Sequence, residues 1–466
     1  MASKASGSSV CLHFLLLLLV SGTAISQSLV KTLPGYTGEL PFTLETGYIS
    51  VGNVEFFYYF VESEGKPGAD PLLLYTNGGP GCSGLNGFFY QIGPLKFNIS
   101  DYTGGLPTLI YEPNTWTKTA NIIFIDIPVG AGFSYATTTE AWGTTDTEWA
   151  AQAYEFLRNW LGVHPDFVTN PVFLGSDSYA GIITPILAQD IVNGNEAGIT
   201  PRVNLKGFSI GCPHTNTDLE TNAKVTFAHR MALISDAMYE SAKTSCHGDY
   251  ADPTAANCTE SLSAISQCIE LISSQNILEP NCAFLSPKAK EERARRSLRD
   301  NSQNFILPSP KRTGDFWCKN FDYLLMDIWG NYKTVQDALH VRPGTIKQFF
   351  RCNVTLDYTV VTNDVVPYHK NLTDTGLQIL VFSGDHDMVI PHIGIEQWIN
   401  SLDLTLDTDW RPWFVSGQVA GYTRKYTNDG YRLTYATLKG SGHSPPEYKR
   451  KECYNMFHRW VYYYPL

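Results

Sequence analysis

The sequence predicts an α/β protein: a central, mostly parallel sheet flanked by helices, with a largely helical insertion. Three observations predict it. Short apolar, β-branched runs alternate with segments whose apolar residues recur at helical spacing, as in a parallel sheet crossed by helices. Several runs are apolar throughout, as strands covered on both faces are. The runs that carry candidate chemistry end in turns dense in glycine, serine or aspartate. The 466 residues could supply two or three domains. The alternation resumes after the interruption, so one domain is expected over 27–466, with the insertion at about 213–341.

Residues 1–26 read as a secretory leader. Lys4 gives a positive start, Val10 to Val20 a mostly apolar run, and Ala24-Ile25-Ser26 a small-residue cleavage site. The run is too short to span a bilayer. Nothing later approaches ~18 consecutive apolar residues. The mature chain is expected to enter the secretory pathway and to be free of the membrane. Four Asn-x-Ser/Thr sequons, at Asn98, Asn257, Asn353 and Asn371, suit glycosylation on that route. The net charge of −11 argues against nucleic acid as a partner. Of ten cysteines, Cys11 lies in the leader, so an odd number remains and at least one thiol stays free or pairs with another chain. No Cys-x-x-Cys occurs, so no zinc site is expected.

Val54 to Glu62 reads as an aromatic strand and Pro71 to Thr76 as a second. The second ends in Asn77-Gly78-Gly79-Pro80-Gly81-Cys82-Ser83-Gly84, where bare backbone N–H groups can approach a ligand. Asn121 to Pro128 is a buried strand. Thr144 to Leu161 is a helix with Trp149, Ala153, Phe156, Leu157 and Trp160 on one face, capped by Thr145 or Asp146. Val172 to Leu174 starts the next strand, and Gly181 to Leu187 opens a helix. Between them Ser178 sits at the apex of a tight turn, where a strained backbone projects the hydroxyl above the sheet. The following amide then points where an oxyanion would form. Leu205 to Ile210 is another strand.

The pattern changes from about Pro213. A helix is expected over Glu260 to Ile272. The stretch 286–316 carries eight lysines and arginines among serines and prolines, and reads as an exposed loop or a processing segment. Strands resume at Leu377 to Phe382, which leads to Asp385 and Asp387, and at Leu433 to Leu438, which leads to His443. A helix over Pro446 to Val461 closes the chain.

Three strands thus lead to Ser178, to Asp385 or Asp387, and to His443. Active sites of such sheets lie at the carboxyl ends of strands. A serine hydroxyl is a poor nucleophile unless a base takes its proton. A histidine suits that task, and a carboxylate must fix its tautomer. The order Ser, Asp, His is that of α/β-hydrolases. Asp387 is the better carboxylate because it lies further beyond the strand; Asp385 is expected to brace the turn.

Leu33-Pro34-Gly35-Tyr36, Asn77 to Ser83, Asp177-Ser178-Tyr179-Ala180-Gly181, Gly384-Asp385-His386-Asp387 and Gly442-His443 resemble the serine carboxypeptidase family, from about Val30 to Leu466. The resemblance implies an α/β-hydrolase fold and a triad of Ser178, Asp387 and His443. It implies an oxyanion hole from the Gly79 and Tyr179 amides and substrate contacts from Asn77, Gly78 and Asp177. It implies disulfides Cys82–Cys352, Cys246–Cys258 and Cys282–Cys318, leaving Cys212, Cys268 and Cys453 unpaired. Some relatives lose a linker and become two disulfide-held chains; here 286–316 is the matching stretch. No metal or cofactor is implied.

Within that family the peptidases usually carry Gly-Glu-Ser-Tyr and a second glutamate near an Ile-Gly-Pro turn, which hold the peptide's terminal carboxylate. Here those positions are Asp177 and Gln91, with Tyr75 for the usual Trp and Gly84 for the second Ser. These features, Gly-Asp-His-Asp-Met-Val, and the segment from Trp410-Arg411-Pro412-Trp413 to Tyr422-Thr423-Arg424 resemble the plant serine carboxypeptidase-like acyltransferases. That branch moves acyl groups from 1-O-β-glucose esters to alcohols or amines. The resemblance makes an acyl-glucose donor and an alcohol acceptor the expected partners, and the vacuole the expected destination, with the extracellular space as the alternative. Ser176 and Cys212 depart from the family's usual Gly and Asn.

Overall fold

The computed structural model describes residues 27–281 and 319–466. The leader, the 286–316 stretch and the expected Cys282–Cys318 pair lie outside the described residues. Twelve strands form one sheet. In chain order they are β1 Ser28–Leu29, β2 Leu44–Val51, β3 Val54–Val61, β4 Leu72–Thr76, β5 Asn121–Ile125, β6 Tyr135–Ala136, β7 Val172–Asp177, β8 Leu205–Gly211, β9 Gln378–Gly384, β10 Thr405–Val415, β11 Gln418–Asn428 and β12 Tyr431–Leu438. Their spatial order is β1-β2-β3-β5-β4-β7-β8-β9-β12-β11-β10, with β6 paired to β3. The stretch from β5 through β12 in that order is parallel. Both flanks are antiparallel.

The period-two geometry of a strand sends alternate side chains to opposite faces. Val172 and Leu174 of β7 join one core cluster, whereas Phe173 joins the other. The first cluster also holds Trp149, Phe156 and Trp160 from helix α1 (Asp146–Val163) and Ile182, Ile183 and Ile186 from helix α2 (Ala180–Glu196). The second holds Met456, Phe457 and Trp460 from a carboxyl-terminal helix over Arg450–Val461. Such double cover is why the central strands carry no polar face. Thr145 accepts the Glu148 N–H and caps α1, while Asp146 and Glu148 in its first turn complement the helix dipole.

Between Gly211 and Gln378 the described residues add no strand to the sheet. That span includes helices α3 Thr217–Arg230, α4 Asp236–Ser245 and α5 Ala256–Ile269. Cys246–Cys258 ties α4 to α5. Cys82–Cys352 joins the glycine-dense loop after β4 to a segment 270 residues away in sequence. The helix expected over 260–272 therefore starts earlier. The closing helix starts at Arg450 because Pro445 and Pro446, which lack N–H groups, form a separate 3-10 turn. No described helix is long and apolar enough to cross a membrane.

Phe457 is fully buried and stacks on Trp116 at 4.0 Å, with an angle of 8° between the rings. Phe457→Ala would empty that space and is expected to lower stability by about 3–5 kcal/mol in chemical denaturation, whereas a Phe457→Leu change should cost much less.

Candidate active site

Ser178 follows β7, and its φ is +55°, a left-handed position rarely taken by a residue with a side chain. The turn is held from all sides. Ser178 N donates to Gly211 O, while Ser178 O accepts from Gly181 N and His214 N, each at 2.9 Å. Ser176, which stands where glycine is usual, faces the start of α2 and pairs its hydroxyl with Thr184 Oγ1 at 2.6 Å.

The structure brings Ser178, His443 and Asp387 together. His443 Nε2 lies 2.8 Å from Ser178 Oγ, and His443 Nδ1 lies 2.8 Å from Asp387 Oδ2. Asp387 is fully buried, and its second oxygen accepts the Val389 and Ile390 N–H groups. With the carboxylate fixed this way, Nδ1 carries the proton and Nε2 is free to take one from Ser178. Burial alone would lower the His443 pKa. The neighbouring Asp387, Asp177 and Glu447 carboxylates outweigh it and raise the imidazole above its ordinary value. Asp385, one turn away, accepts from Gly440 N and Ser441 N and braces the loop that delivers His443.

The glycine-dense loop packs directly on the serine turn. A Cβ built on Gly78 would stand 2.7 Å from Ser178 Cβ and 2.7 Å from Tyr179 N, so no side chain fits there. Neither the Gly79 nor the Tyr179 N–H has an acceptor among the described residues. Both are thus available to an oxygen developing charge. The Tyr179 phenol donates to Asp146 Oδ1 at 2.7 Å, which fixes the side chain at the start of α1.

Asn77 and Asp177 are almost fully buried, and their polar groups are engaged within the protein. Asp177 Oδ1 accepts from Asn77 Nδ2 and Gly78 N; its Oδ2 accepts from Gln91 Nε2 at 2.7 Å and Ser444 Oγ at 2.8 Å. Gln91 Oε1 accepts in turn from Tyr75 OH and Asn77 Nδ2. Burial pushes the Asp177 pKa up, against the Ser444 hydroxyl, the His443 charge, the Gly78 amide and the Gln91 amide. Ser444 gave no signal in the sequence beyond its place next to His443; the Tyr75 contact to Gln91 was equally silent.

Cys212 lies at the end of β8, between the strands that carry Ser178 and Asp387. Its sulfur, an Asp387 oxygen and a His443 nitrogen all lie within 4.8 Å of one another. Burial, then the Asp387 charge, push this thiol well above its usual range, so it stays neutral. His443 Nδ1 is engaged by Asp387 and its Nε2 by the Ser178 hydroxyl. The free cysteines among the described residues are Cys212, Cys268 and Cys453. Asn257 and Asn371 are exposed, while Asn353 is half-buried and its amide donates to Gly130 O at 3.0 Å. Asn98 is half-buried and donates to Asp101. The segment from Trp410 to Arg424 forms the β10–β11 hairpin at the far edge of the sheet, where Trp410 stacks on Tyr422.

Gly78→Ala is expected to slow covalent labelling of Ser178 by a fluorophosphonate about 10²–10³-fold, the loss typical of a displaced oxyanion donor, with the circular dichroism spectrum unchanged.

The serine carboxypeptidase family model matches residues 34–462. Serine carboxypeptidase-like 7 of Arabidopsis thaliana is 42% identical over 464 residues, covering 98% of this chain and 99% of that protein. Serine carboxypeptidase-like 17 of Arabidopsis thaliana is 42% identical over 460 residues, covering 98% of each. Among solved structures, Kex1(delta)p, a prohormone-processing carboxypeptidase from Saccharomyces cerevisiae, superposes with a TM-score of 0.68 at 19% identity, over 90% of this chain and 91% of that one. With the Ser178 turn, its histidine and its aspartate all inside a match that runs nearly end to end, the chain belongs to the serine carboxypeptidase family.

Proposed function

We propose that the protein is an acyltransferase that moves an acyl group from a 1-O-β-glucose ester to an acceptor hydroxyl or amine. The observation that carries this reading is Gln91. Recognition of a peptide's terminal carboxylate by paired acids needs a proton shared between carboxyl groups. The partner of Asp177 here is a neutral amide 2.7 Å away, and the remaining Asp177 acceptor sites are taken by Asn77, Gly78 and Ser444. Among the described residues no second acid completes such a pair, so a neutral sugar ester suits the site better than a peptide terminus.

In this reading His443 Nε2 takes the Ser178 proton as Oγ attacks the ester carbonyl. The Gly79 and Tyr179 amides stabilise the oxyanion. As the tetrahedral intermediate collapses, the bond to the glucose 1-oxygen breaks and His443 protonates that oxygen. The acyl group now sits on Ser178. An acceptor hydroxyl then gives its proton to His443 and attacks the acyl carbonyl; the Ser178 oxygen leaves and recovers the proton. Transfer outruns hydrolysis only if the acceptor is held in better position than water. Asp177 and Asn77 act here as braces of the two loops rather than through exposed substrate contacts. Secretory targeting with the vacuole as destination, glycosylation at the four sequons, and conversion to two chains by loss of 286–316 belong to the same reading.

Product analysis by mass spectrometry, with a panel of acyl glucoses and acceptors against blocked dipeptides, tests it. Ester or amide transfer is expected; peptide release without transfer would overturn it in favour of a carboxypeptidase. The base must be neutral, so the rate should fall with acidification through an imidazole pKa above the ordinary histidine value. Asp387→Asn should move that limb to lower pH and cut kcat by about 10⁴. Gln91→Glu would set a second acid against Asp177. It is expected to destabilise the fold by about 1–3 kcal/mol at neutral pH, and acidification should restore that loss as the pair takes up a proton.

A further inference from the structure

The loop that carries the Gly79 N–H runs from Asn77 to Gly84, and a buried carboxylate holds each end. Asp177 holds the near end through Asn77 and Gly78. Asp126, the residue directly after β5, holds the far end. Its Oδ1 accepts from Ser83 Oγ at 2.5 Å and Gly84 N at 2.8 Å. Its Oδ2 accepts from Phe133 N at 2.8 Å and Tyr59 OH at 3.2 Å. Asp126 is fully buried, and among the described residues no cation pairs with it. The packing admits nothing more: a Cβ on Gly132, which has φ +50°, would stand 2.1 Å from Asp126 Oδ2.

We propose that Asp126 is a positioning residue for the oxyanion loop, and that the loop keeps its working shape only while this carboxylate is ionised. The inference rests on the reading of Ser178 as nucleophile. The physical reason lies in the donors. An ionised carboxylate only accepts, and four donors meet it here. Ser83 and Tyr59 could turn their hydroxyls, but the Gly84 and Phe133 N–H groups cannot become acceptors. One of them faces each oxygen, so a proton on either oxygen must point at Ser83 or Tyr59, whose buried hydroxyl then has to turn away, and the bonds from Gly84 N and Phe133 N lose the charge that strengthens them. The Ser83 end of the loop then loosens, and Gly79 is four residues upstream. Burial pushes the Asp126 pKa up to about 6, against the pull of the Ser83, Phe133, Gly84 and Tyr59 hydrogen bonds. Among the described residues the one titratable group that touches the carboxylate is Tyr59, whose own phenol burial holds well above its ordinary range. Protonation of Asp126 therefore falls in the mildly acid range.

The test is the rate of fluorophosphonate labelling at Ser178, which needs no knowledge of the substrate, measured from mildly alkaline to acid pH. In the unmodified protein the logarithm of the rate should fall with a slope of about one as His443 protonates, and steepen to about two over roughly one or two pH units below the Asp126 transition. Asp126→Asn, which sets an amide N–H against the same donors, should label about 10- to 100-fold more slowly, with a slope of about one throughout. Ser83→Ala, which removes one of the four donors and leaves the carboxylate, should show a smaller loss and keep the steeper limb. A folded Asp126→Asn protein that labels at the original rate would overturn the proposal. So would a slope of one throughout in the unmodified protein. If Asp126→Asn does not fold, Ser83→Ala decides: labelling at the original rate overturns the role of the anchor. Failure of the unmodified protein to label at Ser178 would instead strike the nucleophile reading itself, and this proposal with it.

Discussion

Four separate stretches of chain converge on the carboxylate of Asp177. The glycine-dense loop reaches it through Asn77 and Gly78, the turn after that loop through Gln91, and the histidine loop through Ser444. Its own backbone leads straight into Ser178. A single buried acid therefore sets the spacing between the serine, the loop opposite it and the loop that delivers His443. Burying a charge costs several kcal/mol unless its lone pairs are satisfied. Here each oxygen accepts two hydrogen bonds, so the cost is offset by donors drawn from the elements that must be kept in register. Moving any one of them would leave a buried acceptor short.

The same low-dielectric setting governs the proton chemistry. Desolvation and the nearby carboxylates act on His443 in opposite directions, and the carboxylates prevail. Desolvation raises Asp126 against hydrogen bonds alone, and raises Asp177 against the Ser444 hydrogen bond and the His443 charge. Interactions of this kind act more strongly inside the protein than they would at its surface. The site is thus built from fixed dipoles and buried acids that need little reorganisation when charge moves between Ser178 and the reacting carbonyl.

The interior strands of the parallel region were legible because both their faces are covered, so Ile122 to Ile125 and Ile379 to Phe382 read as unbroken apolar runs. The outer strands were not. Thr405–Val415 carries Asp407, Asp409 and Pro412 and is mostly exposed. A proline can sit there because an edge strand leaves alternate N–H groups without a ladder partner, yet in the sequence it argues against a strand. Leu44–Val51 is buried along most of its length, but its glutamate and glycine weaken the β signal. The segment from Trp410 to Arg424 was read as a mark of a family branch; its place in the fold is an edge hairpin, set by pairing that no local pattern announces.

The sequence by itself determined the fold class, the residue types of the site and their order, because strand periodicity, glycine-dense turns and the demands of serine chemistry are local in the chain. It also located Ser178, Asp387 and His443 as candidates at the ends of strands. Only the tertiary structure decided that Asp177 and Asn77 are buried among protein donors, that Ser444 and Gln91 complete that network, and that Asp126 anchors the loop opposite the serine. Those facts depend on which atoms, tens or hundreds of residues apart in sequence, fall within hydrogen-bond distance once the sheet has formed.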